Sequence, residues 1–128
     1  MRLLLDTHTL IWAVDRPSLL GQDAKVVLEN MDQALMLSAA TLWETAIKVG
    51  LNKLILSISY RQWMTHAITD LGIQVLPITI EVADAQIRLP YHHRDPFDRW
   101  LAAQALIEDL ILVSNDPIFD QYGVNRLW

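Results

Sequence analysis

The sequence predicts an α/β fold in three layers, a central parallel sheet flanked by helices, on three observations. Short, almost wholly apolar runs (Leu3 to Leu5, Ala34 to Leu37, Leu110 to Val113) have the character of strands buried on both faces. Stretches of helical periodicity separate them. The alternation of the two places helices on both sides of one sheet. A length of 128 residues, close to the modal domain size, gives one domain over residues 1–128.

The elements follow in order. Leu3 to Leu5 is the opening strand. Thr7 to Val14 is a helix that stops before Asp15-Arg16-Pro17, because proline disfavours helical geometry in the residue preceding it. Ser18 offers an N-cap to an amphipathic helix carrying Leu19, Leu20, Val26, Val27 and Met31, and Ala34 to Leu37 is the next strand. Ser38 caps a helix whose Leu42, Ala46, Ile47 and Val49 recur at helical spacing until Gly50 and Asn52, both suited to a helix end. Tyr60 to Leu71 is a helix closed by Gly72, Gln74 to Leu76 a strand, and Ile80 to Leu89 a helix stopped by Pro90. After the loop Tyr91-His92-His93-Arg94-Asp95-Pro96, a helix runs from about Phe97 to Asp109, with Asp95 as its cap and Pro96 suited to its first position. Leu110 to Val113 is a buried strand. Asn115 to Phe119 is a turn leading into a short helical stretch, and Val124 to Trp128 is a last strand.

Bulk chemistry narrows the function. Net charge is −5, so broad adhesion to nucleic acid through a basic surface is excluded and any phosphate binding must be local. Cysteine is absent, which removes disulfides and thiolate zinc sites and fits a reducing compartment. The N-terminus meets Asp6 too soon for a secretory apolar segment, and no apolar run reaches the roughly 18 residues of a membrane span, so the expectation is a cytoplasmic protein with no membrane partner. Five tryptophans are many for a core of this size, which points some of them toward a protein interface.

Four carboxylates carry the functional signal. Asp6 ends the first strand, flanked by Leu5 and by Leu10, Ile11 and Trp12, where an unpaired charge is costly. Glu44 shares a helix face with Ala40 and Ile47, although Lys48 four residues on also offers an ordinary surface ion pair. Asp98 lies in the first turn of its helix, on a face with Leu101 and Ala102. Asp116 follows the strand ending at Val113. Acids at the carboxyl ends of central strands face the crevice where open α/β sheets bind ligands, and gathered like charges repel unless a cation joins them. An all-oxygen donor set suits Mg²⁺ or Mn²⁺ and disfavours zinc. The adjacent His92 and His93 are poorly placed to share one ion. With Arg94 and Arg99 they are better suited to touching phosphates at the mouth of the site, since Arg matches phosphate geometry.

Leu4-Leu5-Asp6-Thr7-His8, Glu44 in its helix, Asp95-Pro96-Phe97-Asp98-Arg99 leading into Leu101-Ala102-Ala103-Gln104-Ala105, and Leu112-Val113-Ser114-Asn115-Asp116 occur in an order that resembles the PIN-domain family, and within it the VapC-type toxins of type II toxin–antitoxin pairs. The resemblance covers essentially the whole chain. It implies a Mg²⁺- or Mn²⁺-dependent endoribonuclease, usually a homodimer, that cleaves RNA and is inhibited by a cognate VapB-like antitoxin. It places metal coordination on Asp6, Asp98 and Asp116, with Glu44 as a ligand or as the base for a metal-bound water. Thr7, Ser114, Asn115 and Asp95 become supporting residues beside them, Asn at 115 standing where the family often has Ser or Thr. Trp43, Ile47 and Trp12 offer apolar anchors for an antitoxin segment, with plain core packing as the alternative.

Two rivals are weighed. An aspartyl-phosphate enzyme also places Asp after its first strand. It would need a second Asp where His8 stands, or adjacent acids near the first strand and a Lys after a late one, and neither pattern is present. A PIN-like RNA- or protein-binding module without nuclease activity is the other, and retention of all four acids argues against it.

Overall fold

The computed structural model describes Met1–Trp128. Strands β1 (Arg2–Leu5), β2 (Ala34–Ser38), β3 (Gln74–Leu76), β4 (Ile111–Val113) and β5 (Arg126–Leu127) form one sheet in the order β3-β2-β1-β4-β5, with every neighbouring pair parallel. The connections hold helices α1 (Thr7–Asp15), α2 (Gln22–Glu29), α3 (Ala39–Gly50), α4 (Tyr60–Asp70), α5 (Ile80–Ile87) and α6 (Pro96–Ile107), and 3-10 turns at Pro17–Leu19 and Pro117–Tyr122.

The period-two pleat explains the apolar runs. Leu3 and Leu5 face one way and pack with Leu10, Ile11, Ala24, Val27, Trp63 and Met64, so α1, α2 and α4 cover that side. Leu4 faces the other way, against Leu101, Ala102, Ala105 and Phe119, where the alanines let α6 lie close to the sheet. Helix α5 rides on α6 through Val82, Ala85 and Ala103. These are the three layers anticipated from the sequence.

Boundaries shift where local chemistry overrides periodicity. Ser18 does not cap a helix: Pro17 draws Pro17–Leu19 into a 3-10 turn, and Gly21 is the N-cap of α2. A Cβ on Gly21 would sit 2.6 Å from the Trp128 indole, so this helix start is tied to the C-terminal residue. The last strand shortens to Arg126–Leu127 while Trp128 turns to pack on Trp12, ring centroids 5.8 Å apart. Asn52 and Gly72 take the left-handed backbone that ends α3 and α4, with φ of 56° and 62°.

Strand order positions the site. The chain leaves β1 toward β2 and β3 on one side, then returns to β4 and β5 on the other. The connections therefore diverge between β1 and β4, and the crevice of a doubly wound sheet opens above the carboxyl ends of those two strands. Asp6 and Ser114 are the residues that immediately follow them.

Candidate metal centre

Asp6 starts α1 with extended backbone (φ −64°, ψ 154°), yet its side chain makes no cap bond to the helix. It turns to the neighbouring strand end, where the buried Ser114 hydroxyl donates to Oδ2 at 2.6 Å. The same Ser114 oxygen accepts the backbone N–H of Asp116 at 3.1 Å, so one serine fixes both acidic strand ends. Asp116 caps the following 3-10 turn by accepting the Ile118 N–H at Oδ1, 3.0 Å, and its Oδ2 lies 2.7 Å from His93 Nε2.

Glu44 comes from α3, whose start is capped by Ser38 just after β2. It is 5% exposed. The Thr7 hydroxyl donates to Oε1 at 2.5 Å and the Lys48 ammonium to Oε2 at 2.8 Å. Asp95 caps α6 by accepting the Phe97 N–H at 2.8 Å, which puts Asp98 in the first turn. Asp6, Glu44, Asp98 and Asp116 thus line one cavity of about 280 Å³, together with Asp95. His8, Lys48 and Asn115 complete its wall, and no apolar side chain contributes.

The electrostatics follow from this enclosure. Burial pushes the Asp98 carboxyl up to about 7, helped by the negative charges of Asp95, Asp6 and Glu44 and opposed by His93. Burial also raises Asp6, against the lowering effect of the Ser114 hydrogen bond and of His8. For Lys48, desolvation works against the ammonium, but the hydrogen bond and charge of Glu44, with Asp95 and Asp98, carry its pKa above the ordinary lysine value. The cavity is one in which negative charge is in excess and a cation is stabilised.

No three of the Asp, Glu or His side chains approach closely enough to grip an ion as they stand. Their oxygens are held by protein donors, Ser114 on Asp6, Thr7 and Lys48 on Glu44, His93 on Asp116. Holding an ion therefore requires the surrounding acids to close toward the anchored Asp116. The donor set still fits a hard divalent cation: it is all oxygen, enclosed, and raised in pKa at Asp98 and Asp6, the groups whose ionised forms a cation would restore.

Several residues lie elsewhere than the sequence suggests. Arg99 is not at the mouth of the site: it is 3% exposed, and its guanidinium donates to the carbonyls of Gln86 at 2.6 Å, Pro90 at 2.9 Å and Leu89 at 3.2 Å while stacking on Tyr91. An arginine in the first turns of α6 faces carbonyls from the last turn of α5 and the segment that follows it, and satisfying them is its task. Arg94 is exposed and does not line the cavity. Trp43 and Ile47 do share an apolar groove, of about 520 Å³, with Ile78, Phe97 and Trp100. Trp12 does not belong to it and faces a separate hollow with Leu54 and Leu56. Residue-type reasoning missed Lys48 and His8 as cavity residues and His93 as the partner of Asp116. For Lys48 the signal was present, since an i,i+4 partner of a buried acid must be drawn toward the same wall.

The PIN domain family model matches residues 3–125. The chain belongs to the PIN-domain family. Its fold is also that of solved structures containing PIN-like chains. VapBC2 from Rickettsia felis, bound to a DNA fragment from its promoter, superposes with a TM-score of 0.72 at 17% identity, over 99% of this chain and 98% of that one. DNA-bound VapBC from Salmonella typhimurium gives 0.71 at 18% identity, over 99% and 97%. FitAcB from Neisseria gonorrhoeae gives 0.68 at 19% identity, over 98% and 96%. At these identities the likeness speaks for the fold. No curated protein matches the chain.

Two predictions follow from the PIN-domain site. Because the folded-state pKa of Asp98 lies above the unfolded one, the folded protein holds more protons between about pH 4 and 7, and stability falls as pH rises through that window and stays lowered above it. Asp98 is half-buried, so solvent screening limits the cost to about 1 kcal/mol. In chelator, Asp98→Asn should therefore melt a few degrees higher than wild type at pH 8 and equally at pH 4; a variant that melts lower at pH 8 contradicts the account. Arg99→Met should lower stability by roughly 3 kcal/mol, since it strands three carbonyls. Urea unfolding measures that, and a variant as stable as wild type contradicts the account.

Proposed function

We propose that this PIN domain is a Mg²⁺- or Mn²⁺-dependent endoribonuclease toxin of the VapC type. The observation that carries the reading is the convergence of four carboxylates, from the ends of β1 and β4 and from α3 and α6, on one wholly polar cavity. Asp6, Asp98 and Asp116 would hold the metal, with Glu44 beside it. When bound, the ion lowers the pKa of water and neutralises charge developing on the phosphoryl oxygens.

The chain's own residues supply the rest. Glu44 is fixed at both oxygens by Thr7 and Lys48, which leaves it a carboxylate of set orientation able to accept the proton of an attacking water. Lys48 provides local positive character at a wall that would otherwise repel an RNA phosphodiester. Ser114 keeps Asp6 and the Asp116 backbone in register, so the acids meet the substrate from fixed strand ends rather than from mobile loops. Exposed Arg94, beside Asp95 in sequence, would contact flanking phosphates, and single-stranded RNA offers the accessible backbone such a cavity needs.

The reading extends to partners and place. The groove of Trp43, Ile47, Phe97 and Trp100 adjoins the site through Glu44 and Asp98, the neighbours of Trp43 and Phe97 in sequence. Trp43 is 66% exposed, and aromatic anchors of this kind suit an amphipathic segment of a VapB-like antitoxin. The structures named above as VapBC complexes support that partner. A homodimer and a cytoplasmic location belong to the same proposal; no helix is long and apolar enough to cross a membrane.

Cleavage of single-stranded RNA in Mg²⁺ or Mn²⁺, followed on gels and lost in chelator, is the decisive measurement. Asp6→Asn and Asp98→Asn should each reduce it by at least about 100-fold without loss of folding. Activity that survives both substitutions, or that needs no divalent ion, would refute the proposal.

A further inference from the structure

His93 is 8% exposed, hydrogen-bonded at both ring nitrogens, and outside the cavity lining. Its backbone N–H donates to Tyr122 Oη at 2.9 Å. Its Nδ1 lies 2.9 Å from the same oxygen, and its Nε2 lies 2.7 Å from Asp116 Oδ2. These contacts decide the protonation pattern. Tyr122 Oη already accepts the peptide hydrogen and has a single proton of its own to give, for which Nδ1 is the acceptor in reach. A neutral ring that accepts at Nδ1 carries its proton on Nε2, and that N–H donates to the carboxylate of Asp116.

Packing holds the ring in this pose. It stacks on Tyr122 with an interplanar angle of 8° and lies against Phe119 with centroids 4.7 Å apart. His92 meets the Tyr122 ring edge-on at 4.8 Å. Asp116 is thereby anchored at both oxygens, by Ile118 N–H and by His93. A carboxylate with two fixed donors has lost its rotational freedom about the last bond, so its presentation to the cavity is set before any ligand arrives.

We propose that His93 is the positioning residue for Asp116: Tyr122 selects its Nε2–H tautomer, and the ring orients the carboxylate for a divalent cation. The inference rests on the metal-dependent reading of the cavity and adds to it the Tyr122–His93–Asp116 relay, an outer hydrogen bond of the kind that tunes metal-binding side chains.

Two readouts on the full-length protein test it. Nitrogen-15 NMR of the histidine rings at pH 8 should show His93 as Nε2–H in wild type and as a tautomer mixture in Tyr122→Phe. Mn²⁺ affinity by electron paramagnetic resonance should fall roughly 10- to 100-fold in His93→Leu and return to within about threefold of wild type in His93→Gln, which can restore an N–H donor near the Nε2 position. A wild-type Nδ1–H or doubly protonated ring overturns the relay, as does a folded His93→Leu that binds Mn²⁺ normally or a His93→Gln that is equally impaired. Should His93→Leu fail to fold, the tautomer spectra and His93→Gln decide. Wild-type protein that takes up no Mn²⁺ overturns the metal reading and the positioning role with it, while the Nε2–H assignment still stands or falls by its own spectrum.

Discussion

The repulsion among acids gathered over the ends of β1 and β4 is the constraint to which the site's surroundings answer. Five carboxyl groups border a cavity of about 280 Å³, and each of the buried ones meets a donor: Ser114 for Asp6, Thr7 and Lys48 for Glu44. Asp116 and Asp95 accept backbone N–H groups from the helical turns they cap. Asp98 has no such donor, and it is the acid whose pKa rises to about 7. Hydrogen bonds to the ionised form oppose burial without cancelling it at Asp6, whose pKa stays raised, and at Asp98, where no such donor is present, desolvation and like charge carry the titration up.

That arrangement sets function against stability. A half-buried acid kept partly protonated weakens the fold at neutral pH, and the cost persists only because strand ends and helix starts hold the group in place. The rest of the molecule is correspondingly conventional: β1 is fully buried from Leu3 to Leu5, both faces of the sheet are covered, and α6 packs closely through its alanines. Rigid support from a well-packed sheet is what lets four separate segments present side chains to a common point.

Much of this was legible in the sequence, and the reasons differ by residue. Continuous apolar runs identified the parallel strands because burial on both faces leaves no polar alternation to confuse them. Asp6 and Asp116 were readable from their position after strands, and Asp95-Pro96 announced a helix start through capping chemistry. What escaped was set by tertiary pairing. Arg99 has the composition of a phosphate contact, but its direction depends on α5 packing against α6 so that the carbonyls of Gln86, Leu89 and Pro90 surround it. His93 looked like half of a histidine pair, and its role emerges only because the turn at Pro117–Tyr122 folds back to bring Tyr122 alongside. Trp12 and Trp43 share a residue type and a helical setting, but only Trp43 is exposed, and tertiary packing separates them into different hollows.

Charge placement bears on how RNA would be met. The chain carries ten Lys and Arg against fifteen Asp and Glu, and several of the cations are already engaged within the chain, Arg99 on buried carbonyls, Arg126 on Asp120 and the Ser114 carbonyl, Arg88 on Asp84 at the surface. Lys48 is the one Lys or Arg at the cavity wall, and it is engaged with Glu44. A protein so arranged cannot gather nucleic acid by long-range attraction, because few phosphates are neutralised and the net field is repulsive. Discrimination then falls to the cavity itself. On the proposed ribonuclease reading, only a backbone segment able to enter a narrow polar space would meet the acids, which would favour unpaired RNA over a stiff duplex and make the shape around the cavity and the aromatic groove, rather than overall affinity, the determinant of what is cut.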